Sequence, residues 1–443
     1  MYRPPPARRP DPRSAAAAAL SFVFPGLGQG YNGQWPLATL LAVPVLLILV
    51  LAAILVASSG SSVLSRLLDS GVLVALIVLN LALLGWRLVA ILQAHADRDR
   101  LSFRGWPTWV TALLVAATLG MHALPTYYAA KAIDTLGSVS LEGGGSLFDE
   151  RQGRDVDIPA PSFQPELGER ITVLLIGIDF AEGRTHHLTD TMMVATLDPT
   201  TDEVAMISVP RDLYGVPLAD GRVYNAKLNS LMSTAAADPA SYPRGGPATL
   251  KAAIGELLQT RIHYFAAIDM EGMRQLIDAL GGVDVVVERA MVDPLYHDSL
   301  TGQRGFSIEA GPQHLDGHTA MAFIRSRLAE GEDDFTRAER QQQVLTAIAQ
   351  QLTAGNLLVT LPALLDTVRD NVATDIPSRR IPEIASAGED ADLGNAERVV
   401  LTPDDGYVTV EANSPAGYIL HPQLEAIRAL ADRIFGTATA GAR

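Results

Sequence analysis

Two aspartates and a set of arginines in the second half of the chain have the types and spacing needed to handle phosphate groups. Carboxylates hold divalent cations, and guanidinium groups form paired hydrogen bonds with phosphate oxygens. Such residues together are the ingredients of a phosphoryl-transfer site. The residues concerned are Asp179, Asp190, Arg211, Arg325, Arg327, Asp334, Arg337 and Gln341.

The first three of these residues lie at the ends of predicted strands. Apolar runs at 171–178, 191–197 and 204–209 predict three short buried strands. If consecutive strands are antiparallel, the end of the first, the start of the second and the end of the third meet at one edge of the sheet. Asp179, Asp190 and Arg211 respectively would lie at that edge.

Two carboxylates at one edge repel each other unless a cation or a proton lies between them. Mg²⁺ fits best, because it keeps several waters and takes one or two carboxylates together with substrate phosphate oxygens. Each residue also has a simpler explanation. Asp179 and Asp190 could stabilise turns, and Arg211 could pair with Asp212 at the surface.

The later arginines come from two predicted elements. Residues 321–324 are expected to form a strand, and this would point Arg325 and Arg327 to the same face. The pattern Thr336-x-x-Glu339 is typical of a capping box that starts a helix at Arg337. On that helix one face near the N-terminus carries Arg337, Arg340 and Gln341. Backbone N–H groups favour anions there, although a solvated charged face is the simpler alternative.

The elements around these residues mix helices and strands. The pattern predicts helices at 247–258, 270–280 and 337–352 and a strand at 283–287. Mixed elements around a largely buried sheet indicate an α/β domain, a layered α/β/α arrangement with a mixed sheet, over residues 169–436.

The first 131 residues are of a different kind. Three apolar segments, at about 37–57, 71–93 and 108–130, are each near the ~20 residues that a membrane-spanning helix needs. Arginines precede the first segment and lie between the second and third, so the N-terminus is expected in the cytoplasm. Three crossings would then place the α/β domain outside the cell. This predicts a multi-pass protein of the cell membrane.

Two further segments belong to this part of the chain. Residues 14–36 are apolar but contain Gly and Pro, and they are expected to form an interfacial or re-entrant hairpin; a fourth full crossing, the alternative, would reverse the topology. Residues 132–168 are rich in Gly, Ser, Pro and acidic residues over most of their length and are expected to form a flexible linker.

Charge and cysteine content exclude several classes of function. The 443-residue chain has no cysteine, which excludes disulfides and thiolate metal sites. Residues 1–131 hold 10 basic and 4 acidic residues, whereas the rest holds 24 basic and 45 acidic residues, a charge of about −21. Such a domain would repel a nucleic-acid backbone, so nucleic acid is not an expected partner. The oligomeric state is not indicated.

Successive motifs in the second half resemble those of the LytR-CpsA-Psr (LCP) family. They occur in order over about 200 residues, and the similarity reaches the tail near residues 418–435. The motifs are Gly177-Ile-Asp179, Thr189-Asp-Thr-Met-Met-Val194, Ser208-Val-Pro-Arg-Asp212, Leu280-Gly-Gly-Val-Asp284, His314-Leu-Asp-Gly317, residues 322–327 and residues 334–343.

The resemblance implies a function and roles for residues. Family members that resemble this chain transfer a glycopolymer phosphate from a polyprenyl-pyrophosphate carrier to peptidoglycan outside the membrane. Accordingly Asp179 and Asp190 are expected to hold Mg²⁺, and Asp334 and Arg337 to support the reaction. Pyrophosphate binding is expected of Arg211, Arg325, Arg327, Arg337 and Gln341, with Arg211 also expected to act in catalysis.

One residue departs from the family pattern. The family usually has Arg directly before the Thr-Asp that matches Thr189-Asp190, but here the residue is Leu188. Arg184 and His187, in the same loop, are the candidates to replace that arginine. Asp334 is either a general base or a residue that holds Arg337. A pyrophosphatase that uses water as the nucleophile, and an envelope scaffold that binds glycan without catalysis, are the alternatives to a transferase.

Overall fold

The structure is a computed structural model, and it describes residues 11–59, 68–96, 105–139, 165–166, 168–179, 188–298, 302–352 and 354–436. The chain divides into two compact units, residues 1–134 and residues 135–443. Each unit is described by itself.

The first unit is helical. Its helices are α1 (Pro12–Val23), α2 (Leu27–Tyr31), α3 (Trp35–Ser59), α4 (Ser70–His95) and α5 (Trp106–Val139). Three of them are long and apolar enough to cross a membrane, over Trp35–Leu55, Ser70–His95 and Trp106–Gly137. Helix α5 continues to Val139, so the first residues of the predicted linker are helical and not extended. Residues 140–164 of that predicted linker lie outside the described residues.

The segment predicted as a hairpin forms α1 and α2, which are joined by a tight turn. Gly26 has φ +101°, and a Cβ there would lie 2.4 Å from the Ala38 carbonyl oxygen. Gln29 Nε2 donates to the Ala90 carbonyl at 2.8 Å, which fixes α2 against α4. Helix α1 has only 12 residues, about 18 Å, so it is too short for the fourth crossing that was the alternative.

The second unit contains a six-stranded mixed sheet with the order β11-β6-β1-β2-β3-β12. Strand β1 is antiparallel to β2 and parallel to β6, and β2 is antiparallel to β3. The predicted mixed α/β sheet is therefore confirmed. The sheet strands are β1 (Ile171–Asp179), β2 (Leu188–Leu197), β3 (Val204–Ser208), β6 (Tyr264–Asp269), β11 (Val372–Thr374) and β12 (Glu397–Val400).

Four two-stranded sheets accompany the main sheet. Their strands are β4 (Tyr214–Pro217), β5 (Val223–Lys227), β7 (Val283–Val287), β8 (Met291–His297), β9 (Arg304–Ile308), β10 (Gly311–Leu315), β13 (Val408–Ser414) and β14 (Gly417–Pro422). The helices are α6 (Leu231–Ala237), α7 (Gly246–Leu258), α8 (Met270–Ala279), α9 (Gly317–Arg325), α10 (Asp334–Gln351), α11 (Ala354–Asn371), α12 (Ile381–Asp390) and α13 (Leu424–Phe435). Short 3-10 turns occur at Leu228–Ser230, Ser378–Arg380 and Leu393–Asn395.

The main hydrophobic core lies on one face of the sheet. Alternate residues of β1, namely Leu174, Ile176 and Ile178, are almost completely buried and pack with apolar side chains of α7 and α13. Burying a side chain of this size contributes about 1.5–3 kcal/mol. Alternation along a strand sends the next set of side chains to the other face, and Asp179 belongs to that set.

Two sequence predictions about the later arginines are wrong. Residues 321–324 belong to helix α9 and not to a strand, because Asp316 caps the helix by accepting from Thr319 N at 2.8 Å. Helix α10 begins at Asp334 and not at Arg337, because the N-cap is Asp333. The capping box is formed by Asp333 with Thr336, and Glu339 takes no part in it.

Candidate functional site

The three residues predicted to share an edge do so. Asp179 ends β1, Asp190 lies near the start of the antiparallel β2, and Arg211 follows β3. Arg211 Nη1 donates to Asp190 Oδ1 at 2.7 Å. Asp179, Asp190 and Arg211 all line one cavity.

A β-bulge gives Asp190 its position. Ile178 pairs with Thr189 and Gly177 pairs with Thr191, so Asp190 is the extra residue between the two pairs. Bulges redirect side chains at the ends of strands and are frequent beside active sites. A Cβ on Gly177 would lie 2.9 Å from the Thr191 Cβ, so only glycine fits opposite the bulge without a shift.

Asp334 is the carboxylate on which three arginines converge. Its Oδ2 atom accepts from Arg211 Nη2 at 3.3 Å, and its Oδ1 atom lies 3.3 Å from Arg337 Nη1 and 4.0 Å from Arg327 Nη1. The three arginines come from the loop after β3, from the segment after α9 and from α10. Asp190 also pairs with Arg211, so carboxylates and guanidiniums alternate in one cluster whose arginines have further N–H groups to offer an anion.

Burial changes the electrostatics of two of these arginines. Arg337 is 7% exposed. Burial and the nearby Arg211 charge lower the pKa of Arg337. For Arg211 burial alone would lower the pKa, but the charges of Asp190 and Asp334 raise it above its ordinary value. Within the described part of the chain, neither the Arg211 Nε nor the Arg337 Nε, both buried, makes a hydrogen bond.

Arg325 and Arg327 reach the same cavity by different routes. Arg325 is the last residue of α9, and its Nη1 lies 3.7 Å from Asp298 Oδ1. Arg327 follows the helix and is half exposed. The two side chains were predicted to share one strand face, whereas the end of a helix separates them and each has its own carboxylate partner.

Arg340 does not join the anion cluster. It pairs with Glu332, donates to the Ser326 carbonyl and lies 5.5 Å from the centre of the Phe323 ring. The predicted shared face of α10 is therefore divided, because Arg337 and Gln341 line the cavity and Arg340 does not. Arg340 instead supports the backbone that precedes Arg327.

A buried aspartate that the sequence patterns did not indicate shapes the same segment. Asp293 on β8 is 1% exposed. Its Oδ2 accepts from Ser326 Oγ at 2.5 Å, Arg327 N at 3.3 Å and Leu328 N at 3.2 Å. Burial alone would raise the pKa of Asp293, but the hydrogen bonds from Ser326, Leu328 and Arg327 lower it below its ordinary value. This long-range contact has no local sequence signal.

The cavity combines the charged cluster with an apolar wall. It measures about 420 Å³. Apolar side chains from several elements form the wall, and they are Ile178, Leu188, Ile268, Met270, Met273, Leu295, Met321, Ile324 and Leu328. The position that usually carries an arginine, Leu188, thus contributes to this wall. Arg184 and His187, the candidates to replace that arginine, lie outside the described residues.

Two carboxylates suit Mg²⁺, which takes few protein ligands, better than they suit a metal whose ligands all come from the protein. In the ranges that the structure describes, no group of three or more His, Cys, Asp or Glu side chains is arranged to hold a metal. Asp179 and Asp190 could supply two carboxylates beside the arginine cluster, and a Mg²⁺ ion there would complete its shell with water and phosphate oxygens. Asp190 can accept from Arg211 through Oδ1 and ligate through its second oxygen.

Curated relatives match more than half of the chain. The chain is 29% identical over 284 residues to a polyisoprenyl-teichoic acid–peptidoglycan teichoic acid transferase TagU of Oceanobacillus iheyensis, covering 62% of this chain and 78% of the relative. A TagU transferase of Bacillus anthracis is 28% identical over 239 residues, covering 54% of this chain and 71% of the relative.

Solved structures of similar proteins cover a comparable share of the chain. B. subtilis TagV is 23% identical with a TM-score of 0.48, covering 60% of this chain and 98% of TagV. A structure of TagT bound to LIIa-WTA is 18% identical with a TM-score of 0.45, covering 63% of this chain and 97% of TagT. The sequence model described as the LytR_cpsA_psr family matches residues 144–414, which is more than half of the chain. The chain belongs to the LytR_cpsA_psr family.

Proposed function

We propose that this protein is a membrane-anchored, Mg²⁺-dependent phosphotransferase. It moves a glycopolymer phosphate from a polyprenyl-pyrophosphate carrier to peptidoglycan or a related wall glycan. The observation that carries the proposal is the convergence of Arg211, Arg327 and Arg337 on Asp334 at the edge that also holds Asp179 and Asp190. The two TagU relatives are polyisoprenyl-teichoic acid–peptidoglycan teichoic acid transferases, which supports the proposal.

The arginines would bind the pyrophosphate of the donor. Guanidinium groups bind phosphate oxygens in a bidentate manner, and their Nε and Nη atoms supply more donors than Asp190 and Asp334 accept. Arg325 and Gln341 line the same cavity and extend the set.

The transfer itself needs positioning and charge neutralisation more than covalent help. A loose phosphoryl transition state spreads negative charge over the equatorial oxygens, and fixed cations stabilise that charge. Mg²⁺, held by Asp179 and Asp190, would supply further positive charge at the phosphate. Arg211 is held by Asp190 and Asp334, so it needs little reorganisation when the charge develops.

Asp334 is proposed both to orient the arginines and to accept a proton. It orients Arg337 through the 3.3 Å contact, and it is the candidate base for the attacking hydroxyl. We assign orientation of the arginines as its first role, and proton transfer in the transition state as its second.

The apolar wall of the cavity would receive the prenyl chain next to the pyrophosphate. A membrane anchor keeps the enzyme beside its lipid carrier. We propose three crossings by α3, α4 and α5 with the N-terminus in the cytoplasm, so that the α/β unit faces outward. Peptidoglycan, the proposed acceptor, lies on that side.

The deciding experiment mixes the full chain in detergent with a lipid-pyrophosphate-linked glycan and peptidoglycan fragments. Covalent transfer of the glycan that requires Mg²⁺ supports the proposal. Release of glycan phosphate to water, with none transferred, would instead identify a pyrophosphatase. Donor binding without turnover under all conditions would identify a glycan-binding scaffold.

A further inference from the structure

A second, smaller cleft lies against the same arginines. It measures about 40 Å³ and shares residues with the larger cavity, namely Asp190, Thr191, Arg211, Arg337 and Gln341. Asp334 and Tyr418 line the small cleft but not the large cavity. The charged cluster thus lines both the apolar cavity and the narrow cleft.

The size of the small cleft limits what can enter it. One water needs about 10–15 Å³ of such space, so about 40 Å³ accepts a hydroxyl group with a few waters but not a sugar ring. The larger cavity, at about 420 Å³, is the one that can take the donor's lipid pyrophosphate. In phosphoryl transfer the attacking and leaving oxygens are roughly in line on opposite sides of phosphorus. In-line attack would therefore require the hydroxyl in the small cleft to approach the phosphorus from the side opposite the leaving oxygen.

The hairpin of β13 and β14 fixes the mouth of the small cleft. Leu420 N donates to the Asp212 carbonyl at 3.0 Å, next to Arg211 in sequence, and Leu420 also forms a parallel bridge with Leu213. Tyr418 lies two residues before Leu420, so both side chains point to the same side of the strand. Leu420 is buried, whereas Tyr418 is 41% exposed. Its aromatic ring is therefore available at the opening.

We propose, resting on the proposed function, that the small cleft is the entry for the acceptor hydroxyl and that the Tyr418 ring stacks on the acceptor sugar. An apolar aromatic face suits the C–H face of a sugar ring, while the hydroxyl enters the cleft beside Asp334. Burial and the charges of Asp212 and Asp334 raise the pKa of Tyr418, so its phenol stays neutral.

The proposed transfer is a displacement at phosphorus. The acceptor oxygen forms a bond to the phosphorus nearest the glycan, and the bond from that phosphorus to the bridging oxygen breaks. The bridging oxygen leaves with the electron pair as part of polyprenyl phosphate. The hydroxyl proton passes to the Asp334 carboxylate, which faces this cleft.

The test compares three variants of the full chain. Tyr418→Phe keeps the ring, Tyr418→Leu removes it but keeps apolar volume, and Val410→Ala alters an exposed residue of the same hairpin that lines neither cavity. Initial rates are measured against a soluble peptidoglycan fragment at saturating lipid-linked donor. Donor affinity and release of glycan phosphate to water are measured in parallel and show whether each variant is folded.

We expect Tyr418→Leu to raise the acceptor KM about threefold to tenfold, the range for an aromatic contact, with kcat within about twofold of the wild type. Tyr418→Phe and Val410→Ala should keep the wild-type KM, and donor affinity should be unchanged in all three. An unchanged acceptor KM for Tyr418→Leu overturns the acceptor site and leaves the proposed function intact. A wild-type chain that hydrolyses donor but transfers nothing overturns both.

Discussion

Arg211, in the loop after β3, donates to Asp190 of β2 at 2.7 Å. The same guanidinium reaches Asp334 at 3.3 Å, so one arginine joins a carboxylate of the sheet to a carboxylate of helix α10. A charge network that depends on three separate segments forms only when the sheet and the helix are both in place. The site is therefore preorganised by the fold, and a bound phosphate or metal adds to contacts that exist already.

The carboxylate pair should respond to Mg²⁺. Mg²⁺ is expected to raise the thermal midpoint of the wild-type chain, since a ligand at 100 times its dissociation constant stabilises the folded state by about 2.7 kcal/mol. Asp179→Ala and Asp190→Ala should each abolish that response and the Mg²⁺-dependent transfer while leaving the fold intact. Asp220→Ala, in an exposed pair with Arg222, is the matched control. Identical responses in all four proteins would show that the metal site lies elsewhere.

Replacing Asp293 should affect both stability and donor binding, because Asp293 fixes residues 326–328. Asp293→Ala leaves Ser326 Oγ, Arg327 N and Leu328 N without their buried acceptor, which should cost about 1–3 kcal/mol of unfolding free energy and also lower donor affinity. Asp293→Asn should lose less unfolding free energy and less donor affinity than Asp293→Ala. Denaturant unfolding and donor binding measure the two effects.

The pH dependence gives a separate check on Asp293. Its folded pKa is lowered, so its contribution is present above the ordinary carboxyl pKa of about 3.9 and is lost as the pH falls through the folded value. The stability difference between wild type and Asp293→Asn should narrow below pH ~4. A difference that stays constant down to pH 2 would contradict the assigned contacts.

The strands at the site could be predicted from sequence because their information is local. Apolar runs marked β1, β2 and β3, and antiparallel pairing was enough to bring Asp179, Asp190 and Arg211 to one edge. The bulge at Asp190 was not predicted, because it depends on the register between two strands and on the absence of a Cβ at Gly177.

The segment that carries the later arginines was harder to predict. Residues 321–324 are apolar, and a short apolar run fits a strand or a buried helix equally well by periodicity alone. The N-cap Asp316 stabilises the helix by accepting from Thr319 N. The partners of Arg325, Arg340 and the Ser326 hydroxyl are Asp298, Glu332 and Asp293. Contacts that are long-range or made after a helix has ended leave no periodic signal.

Topology can be tested in intact cells. The arginine distribution predicts that residues after α5 face outward, because three spans start from a basic cytoplasmic N-terminus. Protease or a membrane-impermeant label applied to spheroplasts should reach an epitope tag placed after Arg443. A tag placed before Met1 is the control and should stay protected. Protection of the C-terminal tag would overturn both the topology and the proposed function.

His263 should make the α/β unit less stable in mild acid. Its Nδ1 accepts from Thr172 N at 3.1 Å, and burial followed by the Arg261 charge lowers its pKa from 6.5 to about 4. Between these values the unfolded chain binds a proton that the folded chain does not, so stability should fall as the pH drops from 6.5 to about 4. Chemical unfolding across this range measures the effect. His263→Asn should flatten this part of the profile, and an unchanged slope in that variant would contradict the assignment.

The arginines should behave as one anion site. Arg211→Ala, Arg325→Ala and Arg327→Ala should each weaken binding of a polyprenyl-pyrophosphate analogue by roughly 1.5–3 kcal/mol, the range for hydrogen bonds to charged groups. The corresponding lysine variants should recover only part of the loss, because an ammonium group lacks the planar fork of a guanidinium. Direct titration in detergent measures each affinity.

Double variants separate a shared ligand from a set of independent surface charges. Arg211 and Arg327 both contact Asp334, so the loss for the double alanine variant should differ from the sum of the single losses by at least ~0.5 kcal/mol. Arg433→Ala, in an exposed pair with Glu397, is the matched control and should leave binding unchanged. If the three arginines were independent surface charges, replacing them would hardly change the affinity for the analogue. Near-zero losses of binding free energy for Arg211, Arg325 and Arg327 alike would therefore remove the main physical support for phosphotransfer by this cluster.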